Sequence, residues 1–215
     1  MTERKPKPKR HWGCSLLFGI TLGLTAVALV SYFMFAISFL SVTKRVDADV
    51  LVVESWIPYY MFQSAAGEFH RGHYALLLIS GQQNNPDREQ TSSVALESLA
   101  LHFEELGVPR SALITCPAQY SWWHRTAKTA KVVREKTHEL GLKPRGINIL
   151  TEGTHARETW AAYRHIYGNE TPIGIISIPK IPPPSNRWWL SRGGIFWISK
   201  DFFGWLKEII FPLYS

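Results

Sequence analysis

The chain has 215 residues, with 24 lysines and arginines against 17 aspartates and glutamates, a net charge of +7 and two cysteines. The first ten residues hold five cations and one anion, while residues 44–215 hold 19 cations and 16 anions. A basic tail on a nearly neutral body removes the main support for a nucleic-acid-binding protein, and the body, about 170 residues, can bury one core without disulfides.

No Lys, Arg, Asp or Glu occurs from Trp12 to Thr43. The apolar part, Leu16 to Leu40, exceeds the about 20 helical residues that cross a ~30 Å hydrocarbon layer. A helix satisfies its own backbone hydrogen bonds, so such a segment is at home in lipid. Arg4, Lys5, Lys7, Lys9 and Arg10 precede it, and a basic flank stays in the cytoplasm, near anionic headgroups. We therefore expect residues 1–11 to be a basic cytoplasmic tail and 12–43 a transmembrane helix, with everything after Lys44 outside the cytoplasm. The rival reading is a cleaved signal peptide, whose apolar core usually runs about 7–15 residues before a small-residue cleavage site. Here the core is about twice that, and the triplet Ala36-Ile37-Ser38 lies inside continuing apolar sequence. Cys14 precedes the apolar core, so a lipoprotein cleavage site does not fit. It also lies across the membrane from Cys116, so the two do not pair.

Beyond the anchor, strands and helices alternate. Val50 to Val53 is a β-branched apolar run. A helical pattern from Tyr60 to His70 ends at Gly72. Tyr74 to Ile79 reads as a second strand closed by Ser80-Gly81, and Gln82 to Gln90 as a polar loop. Thr91 is an N-cap candidate for a helix with Ala95, Leu99 and Phe103 on one face. That helix ends in Glu105-Leu106-Gly107-Val108-Pro109 and the next in Glu139-Leu140-Gly141-Leu142-Lys143-Pro144, each with Gly after the last turn and Pro soon after. Apolar runs follow both, at Ala112 to Thr115 and Ile147 to Leu150. Between them Ala127, Ala130, Val133, Thr137 and Leu140 share a helix face. A helix from Thr154 to Tyr167 and a fifth run, Ile173 to Ile178, complete the series.

Five strands alternating with helices predict an α/β fold, a parallel sheet with helices on both faces. In such sheets ligands bind at the carboxyl ends of the strands. The rule selects Glu54 to Trp56, Ser80 to Gln82, Cys116 to Arg125, Thr151 to Arg157 and Pro179 to Arg187.

Several pieces at those strand ends resemble the SanA/ElyC/YdcF family of bacterial envelope proteins. They are Val-Val-Glu-x-Trp-x-Pro (Val52 to Pro58), Tyr74 to Gly81 with its Ser-Gly end, and Glu105 to Pro109. Thr126 ahead of a helix, Thr151-x-x-x-His155-x-Arg157 and Trp188-Trp189-x-Ser191 before an aromatic helix complete the set. The resemblance runs from Asp49 to the C-terminus. It implies a Rossmann-like domain tethered outside the inner membrane, in a family associated with the permeability barrier and with peptidoglycan or lipid-carrier steps. Two positions depart from the family pattern. Arg125-Thr126-Ala127-Lys128-Thr129 stands where Asn-Thr-x-x-Asn is common. Glu158 stands where an Arg is common, with Arg157 one residue early.

His155 and Arg157 open a helix after the fourth strand, where free N–H groups and a partial positive charge suit phosphate. Arg157 adds a bidentate fork and His155 a proton for a leaving oxygen; the plainer reading has Thr154 capping the helix and His155 on the surface. Arg125, Thr126 and Lys128 put cations at a helix start, which a bound anion would relieve; an ordinary solvated helix start is the alternative. Glu54 closes a buried strand as a base, a metal ligand or a sugar-hydroxyl acceptor, or else pairs with a neighbouring Arg. Ser80-Gly81 is a phosphate cradle or a tight turn. No Gly-x-Ser-x-Gly elbow, Walker loop or Gly-x-Gly-x-x-Gly occurs. His70, His73 and Cys116 lack four-ligand spacing, so no metal site is expected, and no cofactor is specified.

Near the C-terminus, Trp188, Trp189, Trp197 and Trp205 mix with Arg187, Arg192, Lys200 and Lys207, an interfacial composition. Ile195, Ile198, Phe202, Trp205 and Ile209 form one helical stripe; docking on the sheet is the other reading. Lys200, Asp201, Lys207 and Glu208 break the segment, so it should not span. The expected layout is a domain over 44–185 with an aromatic, interfacial helix over 186–215. The expected function is binding of an anionic, phosphate-bearing envelope precursor at the membrane surface. Glu54 and His155 are the acid/base candidates, and Ser80, Gly81, Arg125, Thr126, Thr151 and Arg157 the ligand contacts. Membrane lipid and a lipid-linked or phosphorylated small molecule are the expected partners, without nucleic acid. The alternative is a non-catalytic envelope scaffold.

Overall fold

The computed structural model describes residues 12–83, 93–180 and 187–213. The basic tail, the Thr91 cap, the polar run from residue 84 and residues 181–186 of the stretch after the fifth strand lie outside the described residues. Residues up to Ala36 form one compact unit, and those from Ile37 onward form another.

Helix α1 (Trp12–Leu40) is 29 residues long. Its stretch Leu16–Leu40 is long and apolar enough to cross a membrane. Two hydroxyls inside this stretch need no outside partner. Thr21 donates to the Leu17 carbonyl and Thr25 to the Thr21 carbonyl, both at 2.9 Å. Such back-bonding lets a Thr sit in hydrocarbon without an unsatisfied polar group.

The second unit is a Rossmann-like α/β fold. Its strands are β1 (Val50–Glu54), β2 (Leu76–Gln83), β3 (Leu113–Gln119), β4 (Ile147–Glu152) and β5 (Ile173–Ile178). They form one sheet in the order β3-β2-β1-β4-β5 with every pairing parallel. Helices α2 (Tyr60–Arg71), α3 (Ser93–Glu105), α4 (Arg125–Glu139) and α5 (Ala156–Tyr167) follow the first four strands. A final helix, α6 (Arg192–Ile210), follows β5 and a short 3-10 turn at Trp188–Leu190. Ser191 caps it, accepting from the Gly194 N–H at 3.0 Å.

The alternating side chains of β1 explain the layering. Leu51 and Val53 pack with Met61, Phe62 and Phe103 of α2 and α3. Val50 and Val52 face the other way, toward Ala130, Val133, Tyr163 and Ile166 of α4 and α5. Burying each such Val or Leu contributes about 1.5–3 kcal/mol, so a central strand apolar on both faces is the natural middle of a three-layer domain.

Four local expectations change. Ser80-Gly81 is strand, not turn: β2 continues to Gln83, with Ser80 opposite Cys116 and Gly81 opposite Pro117. β3 likewise runs on through Cys116 to Gln119. The buried face of α3 is Leu96, Ala100 and Phe103, one residue on from the expected Ala95 and Leu99. Leu140 is exposed, because α4 ends at Glu139 and Leu140 already turns away as the C-cap. Cys116 is a buried free thiol, pushed up to about 12 by burial, which makes it inert packing.

The β5 edge is not left open. Lys44 and Ile175 exchange backbone hydrogen bonds at 2.8 and 2.9 Å. Asn148, buried on β4, accepts from the Val46 N–H and donates to the Val46 carbonyl, both at 3.0 Å, and donates to the Tyr74 hydroxyl at 2.9 Å. One amide thus ties the segment leading into β1 to the sheet. Asn148→Ala should lower stability by about 1–3 kcal/mol, because buried partners lose their hydrogen bonds. The urea midpoint of the detergent-solubilised full chain measures it, and an unchanged midpoint contradicts the assignment.

Candidate functional site

The strand order reverses direction at β1: the chain builds β2 and β3 on one side, then returns to lay β4 and β5 on the other. This switch point opens a crevice at the carboxyl edge. A cavity of about 470 Å³ lies there, and the last residue of β1, Glu54, lines it.

Glu54 is 3% exposed and accepts from the Thr159 hydroxyl at 3.4 Å. Burial pushes its carboxyl up, and the positive His155 ring and the nearby Thr151 and Trp56 donors pull it back only in part. Among the described residues its neighbours are these groups and not an arginine. Thr151, one residue past the Val53–Leu150 pair, is fully buried on β4. On the other side Ser80 stands opposite Glu54, with its hydroxyl toward the Val53 carbonyl at 3.5 Å. Gly81 is there for space: a Cβ would come within 2.0 Å of the Ser55 hydroxyl, and both residues line the cavity.

His155 is not a surface residue, nor does Thr154 cap α5. Both lie in a 3-10 turn at Gly153–His155, and the Thr154 hydroxyl donates to Asp201 of α6. The His155 ring meets Trp56 edge-on, with ring centres 4.9 Å apart. Its Nδ1 is 3.3 Å from a Glu158 carboxylate oxygen and 3.6 Å from one of Asp201. Burial opposes a charge on this ring, but Glu158, Asp201 and Glu54 outweigh it and raise the pKa to about 9. At neutral pH His155 is therefore an imidazolium, a proton donor. Burial also works against charge on Asp201, yet His155, Lys200 and Thr154 hold its carboxyl below the usual range.

Arg157 stands apart from the expected ligand contacts. It does not line the cavity; its guanidinium stacks 3.9 Å from the centre of the Phe39 ring and donates to the Phe39 carbonyl. On a helix, neighbouring positions diverge by about 100°, so when Glu158 points in, Arg157 points elsewhere. Glu158, which the resemblance marked only as a departure, is the residue α5 sends to the site. Gly204 makes room for it, since a Cβ there would lie 2.0 Å from its carboxylate oxygen.

Arg125 and Thr126, at the start of α4, do line the cavity, and Arg125 is exposed at its rim. The residue before them, His124, sits in the left-handed region at φ 52°, and its ring is 3.5 Å from the fully buried Glu208 of α6. Trp122 and Trp123 add exposed aromatic surface to the rim, and α6 supplies Trp197, Lys200 and Lys207. Lys207 lies 3.6 Å from Glu158 and 3.0 Å from Glu208, and Lys200 lies 3.3 Å from Asp201.

The structure thus brings together Glu54, His155, Ser80, Gly81, Arg125 and Thr126, keeps Thr151 in support behind Glu54, and leaves Arg157 out. Missed in the sequence were Glu158, Asp201 and the site role of Lys200 and Lys207. Their spacing held a signal: Lys200, Asp201, Gly204, Lys207 and Glu208 recur at helical intervals and so share one arc of an otherwise apolar helix. The donor atoms of His155, Glu158 and Asp201 lie within 4.8 Å of one another, a composition that suits a divalent cation. Lys207, Lys200 and the His155 proton already balance these carboxylates, so the group reads as a proton-holding network.

No family model and no curated protein matches the chain.

A His with a raised folded pKa stabilises the fold fully below its unfolded pKa, and the contribution disappears as pH climbs through the folded value. From 6.5 to about 9 this amounts to about 3 kcal/mol. The urea midpoint should fall between pH 6.5 and 9.5, and His155→Gln should flatten that fall. An equal fall in the variant would move the origin to another group.

Proposed function

We propose that this is a single-pass membrane protein whose α/β domain lies outside the cytoplasm and binds an anionic, phosphate-bearing ligand with a sugar-like portion. The observation that carries this reading is the charge balance of the cavity. Of the cations in its lining, His155, Lys200 and Lys207 are held by Glu158, Asp201 and Glu208, whereas Arg125, exposed at the rim, is in no ion pair among the described residues and is the charge left for an anionic ligand. Trp122, Trp123 and Trp197 supply flat apolar faces for a ring, while Glu54 and Glu158 accept from hydroxyls. A protonated His155 close to a buried carboxylate also fits acid/base chemistry at a phosphate ester. In that role His155 gives its proton to the leaving oxygen and Glu54 takes one from the attacking group. Preorganised cations stabilise the charge that develops. The resemblance to the SanA/ElyC/YdcF family supports a role in envelope or peptidoglycan biogenesis or in barrier maintenance.

For binding, the full chain in detergent should be titrated with a hexose 1-phosphate, with the free hexose and inorganic phosphate as separate arms. Arg125→Ala should weaken hexose-phosphate binding by about 10-fold or more, the worth of a charge-assisted hydrogen bond, and leave the free-hexose arm unchanged. Absence of binding by the unaltered protein to every phosphate probe, or equal affinity in Arg125→Ala, overturns the assignment.

Orientation follows from the basic tail and the apolar α1. A reporter that is active only outside the cytoplasm, fused at the C-terminus, should be active in bacterial cells. Activity of a cytoplasm-specific reporter instead contradicts the placement.

A further inference from the structure

Helix α6 is built inside out. Its buried positions include Asp201 and Glu208, and Lys200 and Lys207 beside them line the cavity, so the charged arc faces inward. The arc opposite Asp201 and Glu208 is apolar and open to solvent. Phe203 is 63% exposed and Ile210 54%, and Phe196, 61% exposed, also lines the cavity and so stands where this face meets the cavity mouth. These three recur at seven-residue spacing and therefore lie on one line along the helix. The stripe legible in the sequence is only partly the docked one: Ile198 is buried, Phe202 and Trp205 are half-buried, and Ile195 and Ile209 are exposed and widen the outer face. Arg192, exposed in the first turn, starts the same outer line. Past the helix end Phe211 is exposed as well.

Burying charge and showing phenylalanine to water is the reverse of what a soluble surface helix does, and a contiguous apolar patch of this kind marks a contact surface. The occupant is indicated by where the chain enters the domain. Phe39, in the last turn of α1, packs edge-on against Trp205 of α6 with ring centres 4.9 Å apart. The segment Leu16–Leu40 is the one apolar and long enough to cross a membrane among the described residues. Covalent continuity alone therefore brings the end of that segment to α6. On the same helix, Trp197 at the cavity mouth has Lys180 and Lys200 over its ring, at 5.7 and 5.6 Å. Trp with Lys and Arg beside an apolar face is the composition of a headgroup-level helix.

We infer that the outer face of α6, through Phe203 and Ile210, lies in the headgroup–acyl boundary of an anionic bilayer. α6 then runs along the membrane surface, with its charged arc walling the cavity from the other side. This inference is independent of the ligand proposed above and depends only on α1 as a span.

The test places a spin label on Phe203→Cys and, separately, on Ile210→Cys in the full chain with Cys14→Ser, reconstituted in vesicles of phosphatidylethanolamine and phosphatidylglycerol. Glu135→Cys, exposed on α4, is the aqueous reference. Both α6 labels should collide with oxygen several-fold more, relative to a nickel chelate, than the Glu135 label does. Nickel access equal to that at Glu135 overturns the inference, because the face is then wet. Dipolar broadening between labels, the sign of a second copy, overturns it. A label immobile and closed to both reagents, the sign of a protein partner, does so too. Release of the chain from the vesicles by carbonate also overturns it, since no span then holds α6 at a bilayer. Hexose-phosphate binding is read separately, so either idea fails without the other.

Discussion

A positive charge has to sit where three buried carboxylates converge, and much of the carboxyl edge is arranged around that need. Glu54 comes from β1, Glu158 from α5 and Asp201 from α6, and His155 lies among them. Removing carboxylates from water costs several kcal/mol each unless opposite charge accompanies them. The imidazolium supplies it at the centre, and Lys200 and Lys207 supply it at the edge. Small residues follow from the same requirement: Gly204 gives way to Glu158, and Gly81 gives way to Ser55 beside Glu54.

This arrangement explains why α6 belongs to the domain although its apolar residues do not all pack on it. What it contributes inward is Asp201, Lys207 and Glu208, and the Thr154 hydroxyl closes onto Asp201. Polar docking of this kind is strong only where water is excluded. The ring of Phe39 against Trp205, with Arg157 stacked on Phe39, shields that side. Arg157 therefore acts as packing, its flat cation lying on an aromatic face.

How much of this was legible in the sequence depended on the range of the cause. β1 was legible because apolar burial on both faces writes itself as an unbroken run, Val50 to Val53. The switch-point rule then found Glu54 and the turn after β4 without further help. Ser80-Gly81 misled because Gly after a strand looks like a turn, whereas its real reason is the Ser55 hydroxyl, 25 residues or more away in the chain. Choosing between Arg157 and Glu158 required the rotation of α5, which is set by packing against α4 and α6 and not by any neighbouring residue. Asp201 and Lys207 were seen, but only as interruptions of an apolar segment. Their meaning depends on a partner, His155, on a different element.

The two faces of α6 give these facts a mechanical consequence. One helix carries both a wall of the cavity and an exposed apolar stripe, so on the bilayer placement proposed above a shift of α6 along or into the membrane would change the distances from Asp201 and Lys207 to His155 and Glu158. Coulomb energies at about 3–4 Å in a poorly solvated pocket change by roughly a kcal/mol for small displacements. That is enough to move the His155 proton affinity by a large fraction of a pH unit. On that placement, membrane contact and proton-donor strength would be two readings of a single helix position.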